Sequence, residues 1–128
     1  MATKYRIFIS FAIEDKWAKE HLIGQAKLGK SPFEFTNMSV NEPFDEKWKT
    51  QCRSRIKGCD GMIAFVSKNT AKATGAIWEV KTAKEERVSV IAMYTTTDDR
   101  PATLPAEYTG VKKVAWTWDN IKSFLDSL

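Results

Sequence analysis

With 128 residues, 43% of them apolar and 12% aromatic, the chain has enough hydrophobic side chains to close one core and lies far from disordered compositions. Its net charge of +4 comes from lysines interleaved with carboxylates along the whole length, the pattern of a solvated surface and not of a nucleic-acid-binding arm. The apolar runs reach about six to eight residues, too short to span a bilayer, and no secretory pattern opens the chain. A single cytoplasmic domain over residues 1–128 is expected, with neither nucleic acid nor membrane as partner.

Tyr5 to Ser10 is an apolar run rich in Ile and Phe, bounded by charge, as a strand covered on both faces requires. After Glu14 and Asp15, residues Trp17, Ala18, His21, Leu22, Gln25 and Ala26 recur at helical spacing, and Gly29 with Pro32 closes that pattern. A short strand is expected at Phe33 to Thr36. Beyond the polar loop from Asn37 to Pro43, Phe44, Trp48, Cys52 and Ile56 recur every four residues, one stripe of a helix that Gly58 stops. Cys59 to Val66 reads as the second buried strand, at the centre of a sheet. A loop rich in Ser, Asn and Thr, from Ser67 to Thr74, leads to Ala76, Val80 and Ala83, the buried face of a third helix. Val88 to Met93 is the next strand. From Tyr94 to Gly110 the chain carries Asp98, Asp99, Pro101 and Pro105, which reduce the helix expected there to a turn. Val111 to Ala115 supplies a last strand, and Trp118, Ile121, Leu125 and Leu128 a closing amphipathic helix.

Strands alternating with helices at this spacing imply right-handed crossovers and a sheet covered on both faces. The fold class is therefore α/β: one doubly wound parallel sheet of five strands in the flavodoxin-like order 2-1-3-4-5, its fourth helix degraded. Ligands of such sheets bind beyond the carboxyl ends of the strands, near the switch point between the first and third. That rule nominates Ser10 and Phe11, Asn37 and Ser39, Ser67 and Thr70, and the start of the third helix. Cys52 and Cys59 stand seven apart with one histidine, His21, in the whole chain, which is no zinc pattern. Both thiols read as reduced core residues and His21 as a packed one, so no metal and no cofactor is expected.

Glu79 is distinguished by its helical phase. Taking the core direction as the mean of Ala76, Val80 and Ala83, it lies roughly 65 to 70 degrees to one side, on the border of the buried face. Helical side chains lean toward the helix N-terminus, which here abuts the carboxyl edge of the sheet, so the carboxylate can lean into the crevice. The plainer alternative is an acid that complements the helix dipole. Glu85 and Glu86 fall farther along the helix and read as solvated. Other uses of the fold lack their chemistry. A phospho-accepting receiver needs acids at the first and third strand ends and a lysine at the fourth, where this chain has Ser10 and Phe11, Ser67 and Tyr94. A flavin-phosphate cradle needs a Ser/Thr/Gly loop where Phe11, Ala12 and Ile13 stand, and the glycines spell no dinucleotide fingerprint or P-loop.

Three blocks resemble the TIR and TIR-like domain family over essentially the full chain. Tyr5 to Phe11 followed by Glu14 and Asp15 is similar to its opening strand and acidic follow-up. Arg55 to Ser67 is similar to its third strand with the preceding helix. Asn69 to Val80, with Trp78-Glu79-Val80, resembles the segment carrying the family's catalytic glutamate. Two departures stand out. Many TIR domains carry tryptophan four residues before that glutamate, where this chain has Gly75. The second loop, Phe33 to Ser39, lacks the arginine and proline-glycine pattern of animal adaptors and is closer to the TIR-like proteins of bacterial Thoeris antiphage systems.

The resemblance implies an NAD glycohydrolase or cyclase: cleavage of the nicotinamide–ribose bond, release of nicotinamide, and formation of an ADP-ribose-type, cyclic signalling nucleotide that activates a separate effector protein. It implies Glu79 as the catalytic carboxylate. Phe11 is then a stacking surface and Ser10, Asn37, Ser39 and Ser67 polar contacts to NAD. Turn capping and loop solvation are the competing roles for those five, and packing is the role read for Trp48 and Trp78. Self-association or a phage-derived trigger completes the expected partners. A non-catalytic assembly module is the alternative function, favoured by Gly75, and a small nucleotide-binding regulator is a third.

Overall fold

The computed structural model describes residues 5–28, 33–36, 46–96 and 98–128. The apolar runs form parallel strands: β1 (Tyr5–Ser10), β2 (Phe33–Thr36), β3 (Gly61–Val66), β4 (Ser89–Tyr94) and β5 (Lys112–Ala115). They lie in one sheet in the order β2-β1-β3-β4-β5. β3 pairs with β1 on one side, Ser10 beside Ala64, and with β4 on the other, Val66 beside Tyr94. All six residues of β3 are buried, as a central strand with helices on both faces must be.

Among the described residues four helices cover the sheet: α1 (Lys16–Leu28), α2 (Glu46–Lys57), α3 (Thr74–Glu85) and α4 (Trp118–Asp126). The period-two alternation of the strands separates two cores. Ile7, Ile9, Phe11, Ile63, Phe65, Ile91 and Met93 meet Ala18 and Leu22 of α1 and Ile121, Phe124 and Leu125 of α4. On the opposite face Phe8, Met62, Ala64, Val66 and Ala92 meet Trp48, Cys52 and Ile56 of α2 and Val80 and Ala83 of α3. Between β4 and β5 the described chain makes one turn of 3-10 helix, Ala106–Tyr108, and Tyr108 is buried against the α2/α3 layer. One aromatic side chain there occupies the face that a fourth crossover helix would cover. The closing helix is capped by Thr117, whose hydroxyl accepts from the Asn120 amide at 3.1 Å.

Several boundaries differ from the sequence expectation. Cys59 does not open β3. A turn comes first, in which the Cys59 amide donates to Ile56 O and the Asp60 carboxylate accepts from the Arg6 amide, and the strand starts at Gly61. The inward stripe of α1 is also narrower than its spacing suggested. Ala18 and Leu22 are buried, whereas Trp17 is 47% exposed and His21 is exposed, packing edge-on against Trp116. A 3-10 turn at Ile13–Asp15 precedes α1, so the phase read from α1 alone did not include this lead-in. Gly29, Pro32 and Phe44 lie outside the described residues.

Gly61 marks a close approach. A Cβ there would stand 2.9 Å from Phe124 Cζ and 3.2 Å from Leu128 Cδ1, so a side chain must displace the packing of α4 on β3. Gly61→Ala is expected to lower stability by about 1 to 3 kcal/mol. Chemical denaturation checks this as a lower midpoint with an unchanged slope.

Candidate functional site

Ser10 ends β1, at the carboxyl edge of the sheet, and the alternation of β1 turns its side chain toward α3. Its hydroxyl lies 2.9 Å from Glu79 Oε1 and 3.3 Å from the carbonyl of Ala76. A hydroxyl has one proton and serves one acceptor at a time, so Ser10 donates either to the carboxyl or to the helix backbone. When Glu79 is ionised the proton belongs on Oε1. When Glu79 is protonated, its own O–H can donate to Ser10, and Ser10 to Ala76. The pair therefore accommodates both states of the acid without moving a heavy atom.

The second carboxyl oxygen faces α2, where the Cys52 thiol donates to Oε2 at 3.6 Å. Trp48, one turn earlier, packs on Trp78 with ring centroids 5.5 Å apart and closes the same flank. Glu79 is 5% exposed. Burial pushes its carboxyl up to about 8 from an ordinary value of 4.5 and outweighs the hydrogen bonds from Ser10 and Cys52, which pull the other way. Burial, then the charge of Glu79, raises the Cys52 thiol in turn, and the same two causes raise Tyr108. An acid that merely complemented the helix dipole would sit in water, and this one does not. Glu85 and Glu86 instead pair with Arg53 of α2, each at 3.0 Å, and are the partly solvated acids of the helix.

A second polar cluster lies at the same edge, in the loop after β3. Ser67 donates to Asp15 Oδ2 at 2.6 Å and the Asn69 side-chain amide donates to Oδ1 at 3.1 Å. The Asn69 backbone amide donates back to Ser67 Oγ, and the Ser67 amide to Thr70 Oγ1. Asp15, Ser67 and Thr70 are all buried. This network ties the start of α1 to the segment that feeds α3, and hence to the helix that carries Glu79.

Of the residues nominated from sequence, Ser10 and Glu79 are brought into contact. Ser67 is at the edge, with its hydroxyl engaged by Asp15. Phe11 is not brought to the carboxyl: the alternation that sends Ser10 toward α3 sends Phe11 into the α1/α4 core, 5% exposed, with Lys19 Nζ 5.7 Å from its ring centre. Asn37 and Ser39 lie outside the described residues. Gly75 leaves room beside Trp48, whose Cη2 would stand 3.9 Å from a Cβ at that position, an ordinary contact. Cys52 and Asp15 were not singled out from sequence. Cys52 was legible as a core position of its stripe, but its partner is set by the docking of α2 on α3. A cavity of about 170 Å³ also opens at the ends of β4 and β5, lined by Tyr94, Thr95, Arg100 and Trp116 among others. Among the described residues no cluster of side chains is arranged to hold a metal ion, and no helix is long and apolar enough to cross a membrane.

The family described as Thoeris protein ThsB, TIR-like domain, matches residues 8–100, from the middle of β1 past the end of β4. The chain belongs to this TIR-like family. Solved structures agree at the level of fold. The TIR domain of the Toll-related receptor TRR-2 from Hydra magnipapillata is similar with a TM-score of 0.62 at 13% identity, over 96% of this chain and 93% of that one. A prokaryotic SEFIR domain is similar with a TM-score of 0.57 at 14% identity, over 96% and 88%. No curated protein sequence matches significantly. The matched family segment of this TIR-like domain contains Ser10, Asp15, Cys52, Ser67 and Glu79.

Proposed function

We propose that this TIR-like domain cleaves NAD at the nicotinamide–ribose bond, with Glu79 as the catalytic carboxylate, in a Thoeris-type antiphage context. The observation that carries the reading is the Glu79 carboxyl, buried at the carboxyl edge of β1 and held by Ser10 and Cys52. The bond breaks heterolytically: its electron pair stays on the pyridine nitrogen, nicotinamide leaves neutral, and positive charge develops on the ribose. A fixed negative charge in a water-poor site stabilises that oxocarbenium-like state. No general acid is needed for a neutral leaving group, so one carboxylate suffices. Water, or a nucleophile within the ADP-ribose itself, then captures the sugar. Capture from within gives the cyclic product, which serves as the signal to a separate effector.

Burial alone sets the raised value of Glu79. NAD brings a positively charged nicotinamide ring, and a cation beside a buried carboxyl favours its ionised form. Consequently kcat/KM should rise with pH through about 8, following the free protein, while kcat should rise at lower pH, following the complex. The test is purified protein with NAD, with and without phage-derived trigger, followed by mass spectrometry of the products. Nicotinamide release by wild type that Glu79→Gln lowers about a thousandfold is the expected result. Equal turnover by both proteins overturns the assignment.

Exposed Ile13 and Trp17, 46% and 47% accessible near the start of α1, favour a second reading in which the domain acts by assembly. Concentration-dependent association that persists in Glu79→Gln, with no NAD consumed under any trigger, is its signature.

A further inference from the structure

The Glu79 carboxyl is held from two independent elements, Ser10 of β1 on Oε1 and Cys52 of α2 on Oε2. Nothing in the apolar stripe of α2 calls for a thiol. Trp48 and Ile56, one turn to either side, are buried in the same cluster, and any small apolar residue between them would continue it. Cys52 is wholly buried, so water offers its S–H no substitute for Glu79. The last torsion of a glutamate is broad and twofold, and one donor on one oxygen leaves the carboxyl plane free to turn about that contact. A second donor from a different helix removes this freedom.

We propose that Cys52 is a positioning residue for Glu79, its thiol fixing the second carboxylate oxygen so that the negative charge keeps one orientation between β1 and α2. The proposal rests on the reading of Glu79 as the group that faces the developing ribose cation. There orientation matters, because a charge that wanders stabilises the ground state as well as the transition state. Ser10 from β1 and Cys52 from α2 bear on Glu79. The Glu79 charge in turn raises the Tyr108 phenol in the turn before β5, and Arg55 of α2 acts on Cys52. Both held donors favour the ionised carboxyl against burial, so loss of the thiol must raise its titration.

The experiment titrates the Glu79 side-chain carbon by carbon-13 NMR in the full chain, the resonance being identified by its absence from Glu79→Gln. Cys52→Val keeps the bulk and removes the donor, and Cys52→Ser keeps a donor. The valine variant is expected to titrate about half a unit to one unit higher than wild type, and the serine variant at or below it. Nicotinamide release should follow: a lower kcat at unchanged KM and an alkaline-shifted limb for valine, both restored by serine. Cys52→Ala serves if the branched side chain prevents folding. Coincident titrations for the valine and serine variants overturn the proposal. Separated titrations in a protein that consumes no NAD under any trigger uphold the hold on Glu79 and overturn the NAD reading alone.

Discussion

Glu79→Gln is expected to be more stable than wild type by a few kcal/mol at pH 9 and equally stable near pH 4.5. The folded chain holds the Glu79 proton up to about pH 8, whereas the unfolded chain releases it near 4.5. The native state therefore binds the extra proton between those values, and stability falls as pH rises. The contribution is complete below the unfolded value and lost through the folded one. A single proton changes stability by about 1.4 kcal/mol per pH unit inside such a window. Above it, the wild type carries a buried charge supported only by a hydroxyl and a thiol, and glutamine carries none. Other groups titrate in both proteins, so the informative quantity is the difference between two urea-denaturation series from pH 4 to 9. Parallel curves would show that Glu79 ionises in the fold as it does in water. On the proposed reading activity is expected to move in the opposite sense to stability, because the form that destabilises the fold is the form assigned to face the ribose cation. Glutamine gains the one and loses the other.

How much of this was legible in the sequence follows from which contacts are local. The run from Cys59 to Val66 read as a strand buried on both faces, which the structure starts two residues later, and its alternation with the stripes of Cys52 and Ile56 and of Val80 and Ala83 implied a parallel sheet with helices on each side. Glu79 could be placed on the rim of its helix by phase, yet its burial could not, because α2 closes that flank with Trp48 and Cys52. The angle of α2 against α3 is tertiary information. The same holds for Phe11. Its place after β1 nominated it as a surface, and the alternation already visible in Ile7 and Ile9 sends it inward to the other core. Glu14 and Asp15 are alike in composition and adjacent in sequence. The 3-10 turn that carries them buries Asp15 and leaves Glu14 exposed, and nothing in the residue types distinguishes the two.

Asp15→Ala is expected to lower stability by about 2 to 3 kcal/mol and, on the proposed function, to slow NAD cleavage about tenfold without touching Glu79. The loss of stability comes from stranded donors. Ser67 loses the acceptor at 2.6 Å, inside a loop whose backbone already depends on Ser67 and Thr70, and the Asn69 amide loses the acceptor at 3.1 Å. Asp15→Asn is the instructive companion. Its amide oxygen can still accept from Ser67, and the Asn69 side chain can turn over to present its oxygen to the new NH2, so most of the network re-forms at a loss of about 1 kcal/mol or less. The slower chemistry has a separate origin: the segment held by Asp15 runs through the 3-10 turn Thr70–Lys72 into α3, and slack there becomes displacement of the Glu79 carboxyl relative to Ser10. A double-mutant cycle between Asp15→Ala and Ser67→Ala isolates the link, with an expected coupling of about 1 to 2 kcal/mol. Additive losses would mean that the two residues stabilise the fold independently, and the tie between the start of α1 and the entry to α3 would have to be sought in the backbone alone.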